Sequence, residues 1–521
     1  MESGVSVSPL VLLAPVAILL VGATLLAVLP RLGTYSVTSL RTIAFLVILL
    51  VLVRVQRLSD AYAPLVSIPL GHLTIPIMDL GVDPHSLSWV RLLLVGSLAS
   101  SLLLPAPSLS SCLLLLAITS TTFLANSFAT VVLAWCFTEA GLFFIGAENG
   151  NQNAKAIPFT LGTIALVVAL YGSAFEQAFV FSEASFKPLS WLLLIIAVGL
   201  RLRLWPLHWA ENSLPKSVFI FLVVTTTGFL VLSRGTPASP DELPPWWLGA
   251  ALGASAVVAS LLAWLHKQNE LELPLMAGAA LAPLLILLAT LSTPLSPALG
   301  PAAIHLTAAI VVYALAPGVP APSQAPRWLA QVIPLLAILT LAPLPIFPFG
   351  RAVTQVFSLL GTIKPISAIV AAMVLALPLA AMASTVLEKP DRRPVLHWRD
   401  GSDWALAITL AATLLPGLGL APTFISEQGN KQQLSGLAGG SAALSTLVIL
   451  ALVWADRRSL LPRSDLQQFP RARVPVLSRL GSFASAATMA LETVFRLVEG
   501  ETALTWATLI GFAILIIATG G

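Results

Sequence analysis

What most constrains this chain is a succession of long apolar runs with few charges between them. Of its 521 residues, 57% are hydrophobic and only 10% are charged. Many of the runs approach or exceed the roughly 18 residues a helix needs to cross a bilayer, where each backbone polar group must be satisfied inside its own segment. Together with a mean hydropathy of +0.93, this pattern specifies an all-α integral membrane protein of about 14–16 transmembrane helices. A membrane β-barrel would instead show strands of about ten residues with alternating polarity, and the apolar blocks here are continuous.

Sixteen segments read as candidate spans, beginning with Leu10 to Leu29, a retained first helix, and ending with Ala503 to Thr519. Four of them frame the argument: Phe128 to Gly146, Leu189 to Leu204, Ser217 to Ser233 and Leu273 to Leu291. The segment Ala352 to Ala383 is too long for one straight span and contains Lys364-Pro365, so it reads as two pieces or as a helix broken at the proline. The longest polar stretches, Glu388 to Asp403 and Asp456 to Arg473, are rich in arginine and agree on a cytoplasmic side. Arg54 and Arg57 fall on the opposite side when each segment is counted once, so by this rule either the count or one loop is wrong. After Pro475 an amphipathic helix leads towards the last span, either resting on the membrane surface or clasping a neighbouring subunit.

The net charge of +4 gives no argument for nucleic acid, and no basic-aromatic patch is present. Cys112 and Cys136 lie inside apolar runs, where a thiol behaves as a small hydrophobe. Neither a metal-ligand cluster nor a CxxC occurs, so nothing here calls for a cofactor.

An ionisable group deep in a spanning helix costs a few kcal/mol or more and needs a partner or a task. Glu139 sits about nine residues from either end of its run and is either a neutralised structural acid or half of a charge pair. The stretch GLRLRLWPLHWAENSLPKSV, Gly199 to Val218, supplies Arg201 and Arg203 beside Pro206, with His208 and Glu211 following. A proline there interrupts the helical hydrogen bonds, which suits a discontinuous helix lining a polar cavity, while the plain alternative is arginines snorkelling at a helix end. His305 is a lone histidine in an apolar run, as much a packing residue as a proton carrier. Arg351 and Lys364 bracket a second stretch of prolines, glycine and cations. Two such segments in separate halves of a chain point to transporter-type repeats with sites near mid-membrane.

Several motifs in order resemble the antiporter-like, proton-conducting membrane subunits of respiratory complex I, related hydrogenases and Mrp-type cation antiporters. GVDPHSLSWVRLLL resembles the Asp-Pro-Leu-Ser start of that family's third helix, and NSFATVVLAWCFTEAGLFF the helix carrying its key glutamate, at Glu139. Lys155, Gly162 and Gly172 match the next helix. RLRLWPLHWAENSLPKSV resembles the Lys-x-x-x-x-Pro-Leu/Phe-His-x-Trp segment, with Arg201 where the family has a lysine, and LAPLPIFPFGRAVTQV the second broken helix, with Arg351 in place of lysine. The resemblance implies two inverted repeats with discontinuous helices. It divides the chain into N-terminal helices over 1–80, an antiporter-like core over 81–365 and C-terminal helices over 366–521, with a lateral amphipathic segment near about 475–500.

It also implies a membrane-arm subunit of a redox-linked or Mrp-type translocating complex, without a redox cofactor of its own and with other membrane subunits as partners, in a bacterial plasma membrane or a thylakoid. The departures bear on mechanism. Arginine keeps its proton, so Arg201 and Arg351 can hold charge but cannot relay protons as lysines do. Only Thr225, Thr226 and Thr227 stand where the next helix would carry a histidine or lysine, and Tyr313 takes the place of a lysine eight residues after His305. The line of exchangeable groups is largely dismantled, leaving His208, Glu211 and His305 as the groups most able to move protons. A self-contained secondary transporter and a structural scaffold are the alternatives.

Overall fold

The computed structural model describes residues 5–6, 8–33, 35–58, 61–70, 73–82, 84–146, 161–171, 185–204, 213–237, 246–269, 272–292, 297–316, 329–388 and 436–458. These form fifteen helices: α1 Pro9–Leu32, α2 Val37–Val55, α3 Pro84–Leu103, α4 Ala106–Leu124, α5 Phe128–Gly146, α6 Leu161–Tyr171, α7 Pro188–Arg201, α8 Leu214–Arg234, α9 Trp246–Leu265, α10 Leu273–Leu291, α11 Leu299–Leu315, α12 Leu329–Thr340, α13 Pro348–Ile363, α14 Pro365–Glu388 and α15 Gly436–Arg457. Nine of them, among the described residues, are long and apolar enough to cross a membrane. The protein is an integral, multi-pass membrane protein.

The apolar pattern sets most boundaries: α5 and α10 coincide with the runs expected from sequence. Prolines set others. Pro9, Pro188 and Pro215 stand in first turns, where the missing N–H is not needed. Lys364-Pro365 separates α13 from α14, dividing the overlong apolar segment into two helices. The expected span Trp328 to Phe347 ends early, at Thr340, because Pro343 and Pro345 cannot continue a helix. The expected spans Trp404 to Leu420 and Ala503 to Thr519, and the amphipathic stretch after Pro475, lie outside the described residues.

Packing ranks the helices. α10 is buried from Leu273 to Thr290 and α11 everywhere but Pro301, so both sit in the core, with α8 almost as enclosed. The outer faces of α2 and α15 present Leu46, Leu50, Leu447 and Leu450 to the surroundings, as lipid-facing helices should. Interior hydroxyls close back on their own helices: Ser97 donates to Leu93 O at 2.6 Å and Thr119 to Leu115 O at 2.7 Å. Such bonds satisfy polar groups where no water is available. Others tie neighbouring helices, as Ser260 of α9 does to Val374 O of α14 at 2.9 Å.

At one end of the bundle lies a small sheet that hydropathy alone does not reveal. β2 (Ala61–Leu70) and β3 (Leu73–Gly81) pair antiparallel from Tyr62↔Gly81 to Leu70↔Leu73, and β1 (Val5–Ser6) adds a short parallel edge. Leu80 bridges to Ala125 between α4 and α5. Arg234, at the end of α8, donates to Ala125 O at 2.9 Å and to the Ser86 hydroxyl at the start of α3. One guanidinium thus gathers the ends of α3, α4 and α8 beneath the sheet. A second pair of two-residue strands, β4 (Ser185–Phe186) and β5 (Thr236–Pro237), joins the start of α7 to the end of α8.

The opposite end is held by charge. Gly278 packs under Phe221, which puts the start of α10 beside the start of α8, away from the sheet. There Lys267 pairs with Asp456 of α15, lies 4.8 Å from the Trp264 ring centre, and accepts the Thr385 hydroxyl on its carbonyl at 2.9 Å. The ends of α14 and α15, where the two arginine-rich loops begin, therefore lie across the membrane from Arg54 and Arg57 at the end of α2. Basic residues therefore flank both faces.

Candidate functional site

α7 stops abruptly at Arg201. Leu202 keeps helical angles and donates to Val198 O at 2.8 Å, whereas Arg203 turns to φ 52°. It is the one non-glycine residue in the left-handed region among those described. Arg203 N and Leu204 N then reach back to Leu200 O and Gly199 O at 3.2 and 3.4 Å. Left-handed closure is a common way to satisfy terminal carbonyls, though a side chain there costs about 1–2 kcal/mol relative to glycine. α8 starts afresh at Leu214, and the chain between 204 and 213 lies outside the described residues. His208 and Glu211 fall in that stretch.

The break leaves Arg201 pointing into protein, 1% exposed. Its Nη1 forms an ion pair with Glu139 Oε1 on α5. Nε donates to the Thr227 hydroxyl of α8 at 3.2 Å, and the guanidinium carbon lies 4.3 Å from the centre of the Trp135 ring. Glu139 is 8% exposed and Trp135 fully buried. A glutamate, an arginine, a threonine and a tryptophan from three helices thus converge around one charge. Gly228 allows α8 to approach, since a Cβ there would lie 3.1 Å from Leu202 Cδ2 and 3.5 Å from Arg201 Cγ.

Chemically, this arrangement can hold charge. Burying an ion pair is costly, but separating its members costs more, so the two side chains constrain one another. Around them the structure supplies no described chain of exchangeable groups. Thr225, Thr226 and Thr227 donate to Phe221 O, Leu222 O and Val223 O at 2.8, 2.6 and 2.7 Å, closing on their own helix. α10, which packs near the start of α8, carries a single polar side chain, Thr290, whose hydroxyl closes on Leu287 O.

The other residues marked by sequence lie apart. His305 is fully buried on α11, its ring 5.9 Å from Phe347 at an edge-on 75°, and neither ring nitrogen makes a hydrogen bond among the described residues. Tyr313 donates to Met382 O at 3.4 Å, tying α11 to α14. Arg351 begins α13 facing outward, and its Nε donates to Pro345 O at 2.7 Å, clasping the second break. Lys364 is exposed between α13 and α14. The structure therefore joins Glu139 to Arg201 and leaves His305, Tyr313, Arg351 and Lys364 as separate contacts. Trp135 escaped the sequence reading, because a tryptophan in an apolar run carries no mark. Its place four residues before Glu139, on the same helix face, was the available signal.

No family model and no curated protein matches the chain by sequence. Solved structures do match in shape. A chain of the Mrp complex from Dietzia sp. DQ12-45-1b aligns with a TM-score of 0.63 and 17% identity over 97% of this chain and 62% of that one. A chain from the membrane-bound sulfane sulfur reductase, an archaeal respiratory membrane complex, gives 0.58 and 15% over 98% and 99%. The chain has the antiporter-like membrane-subunit fold. A chain of respiratory complex I from Thermus thermophilus adds a third match, at 0.55 and 20% over 78% of this chain and 98% of that one. This chain spans 62% of the length of the Mrp chain and nearly the whole of the other two. α7 runs antiparallel to α8 and stops at Arg201 beside the middle of it, while α12 and α13 are separated by the proline-rich stretch 341–347.

Proposed function

We propose that this protein is a membrane-arm subunit of a multi-subunit ion-translocating complex of the respiratory or Mrp type, and that its own proton conduction is reduced or lost. The observation that carries the reading is Arg201 in the first break, paired with Glu139 and bound to Thr227 in a buried setting. A lysine there could give up and regain a proton, whereas a guanidinium keeps its charge. The pair then acts as a fixed electrostatic element, stabilising the break and presenting the same charge distribution to neighbouring subunits throughout turnover. Redox chemistry, where the complex performs any, belongs to partner subunits. The structures that share the fold come from assemblies of this kind, which supports partners in the membrane.

Affinity purification of the tagged, full-length chain from its native membrane tests this assignment. The expected result is a defined set of further integral membrane subunits, in constant ratio and lost together on dissociation. A chain that purifies alone and moves a solute across liposomes would instead make it a self-contained transporter.

A further inference from the structure

The Trp135 ring lies against the Arg201 cation, and the ion pair with Glu139 does not by itself require it. The guanidinium is planar. Its N–H groups point outward within the plane, Nη1 to Glu139 and Nε to Thr227, with Nη2 unpaired among the described residues, while its flat face remains for stacking. The guanidinium carbon lies over the Trp135 ring, 4.3 Å from its centre, in a site from which solvent is excluded and where cation–π attraction is stronger than at a surface. Trp135 and Glu139 are four residues apart on α5, so one helix face supplies both the acid and the ring.

We propose that Trp135 is a positioning residue that selects arginine over lysine at position 201, so that the non-exchangeable charge of the first break is determined on α5 as much as on α7. This rests on the reading of Arg201 as a fixed charge. A lysine ammonium is a compact, strongly hydrated point charge. At position 201 it would retain the acid but lose the flat contact with the indole and the hydrogen bond from Nε to Thr227. With the ring gone, arginine loses the larger part of its advantage and the two cations become more nearly equivalent.

A double-mutant cycle on the purified full-length chain tests this, combining Arg201→Lys with Trp135→Leu and with Trp135→Phe. Thermal midpoints are followed together with the fluorine resonance of 5-fluorotryptophan at position 135, assigned by its loss in Trp135→Phe. Arg201→Lys is expected to lower Tm about twice as far in the parent as in the Trp135→Leu background, with Trp135→Phe between them because a ring remains. The fluorine resonance is expected to move in Arg201→Lys while Glu139 is untouched. Additive Tm changes, an unmoved resonance, or Trp135→Phe behaving as Trp135→Leu would each overturn the proposal and leave Trp135 as core packing. Should Trp135→Leu not fold, Arg201→Lys and Trp135→Phe carry the test by themselves. Neither readout involves ion flux or partner subunits, so failure of the functional assignment and failure of this inference are separately visible.

Discussion

Arg201→Met is expected to destabilise the protein by about 3–5 kcal/mol, the usual cost of removing one member of a buried ion pair. The loss is more than a contact. Glu139 would remain 8% exposed on α5 without its paired guanidinium, and Thr227 would lose its donor. The carboxylate must then take up a proton or draw in water, and either response loosens the packing of α5 against α7 and α8. Glu139→Gln in the same background should restore part of the loss, because it removes the orphaned charge. Thermal or denaturant unfolding of the detergent-solubilised chain measures both, and equal midpoints for Arg201→Met and the parent would mean that the pair carries no structural load.

The second large effect is at Gly350. A Cβ at this position would run into Leu344 O and lie 2.7 Å from Leu344 N and C, inside the backbone of the loop that ends α12. No side chain can yield there, so Gly350→Ala must push the loop away from α13. That displaces Phe347, which packs on His305, and Pro345, whose carbonyl receives Arg351. A destabilisation beyond the roughly 3 kcal/mol of ordinary substitutions is expected, seen as loss of folded, monodisperse protein. Gly249→Ala is the control, since nothing lies within 4 Å of a Cβ there. Equal yields of the two variants would show that the second break is not as closely packed as described.

Much of the architecture was legible because the bilayer is a strict solvent. The bounds of α5 and α10 follow from where apolar residues begin and end, and the division at Lys364-Pro365 follows from proline's missing donor. The pairing of Glu139 with Arg201 was open to the same reasoning, since each is a charge in a place that demands a partner. What escaped was whatever hydropathy does not encode. The β2–β3 hairpin contains Pro64, Pro69 and Pro76, which disguise it as loop. Trp135 looked like any apolar residue of its run. The clasp of Arg234 on Ala125 and Ser86 depends on residues 109 and 148 positions away, a distance no local pattern spans. Arg351 shows the converse, because its place in a motif says nothing of which way α13 faces, and the structure turns it outward.

The central claim is that the first break holds a fixed charge, so that proton conduction through this chain is reduced or lost. Its most direct test is proton flux through the purified full-length chain in liposomes, driven by an imposed pH gradient and potential and read with an entrapped pH-sensitive dye. The expected result is flux no greater than in protein-free vesicles, unchanged by Glu139→Gln. Flux well above that background, and abolished by Glu139→Gln, would contradict it.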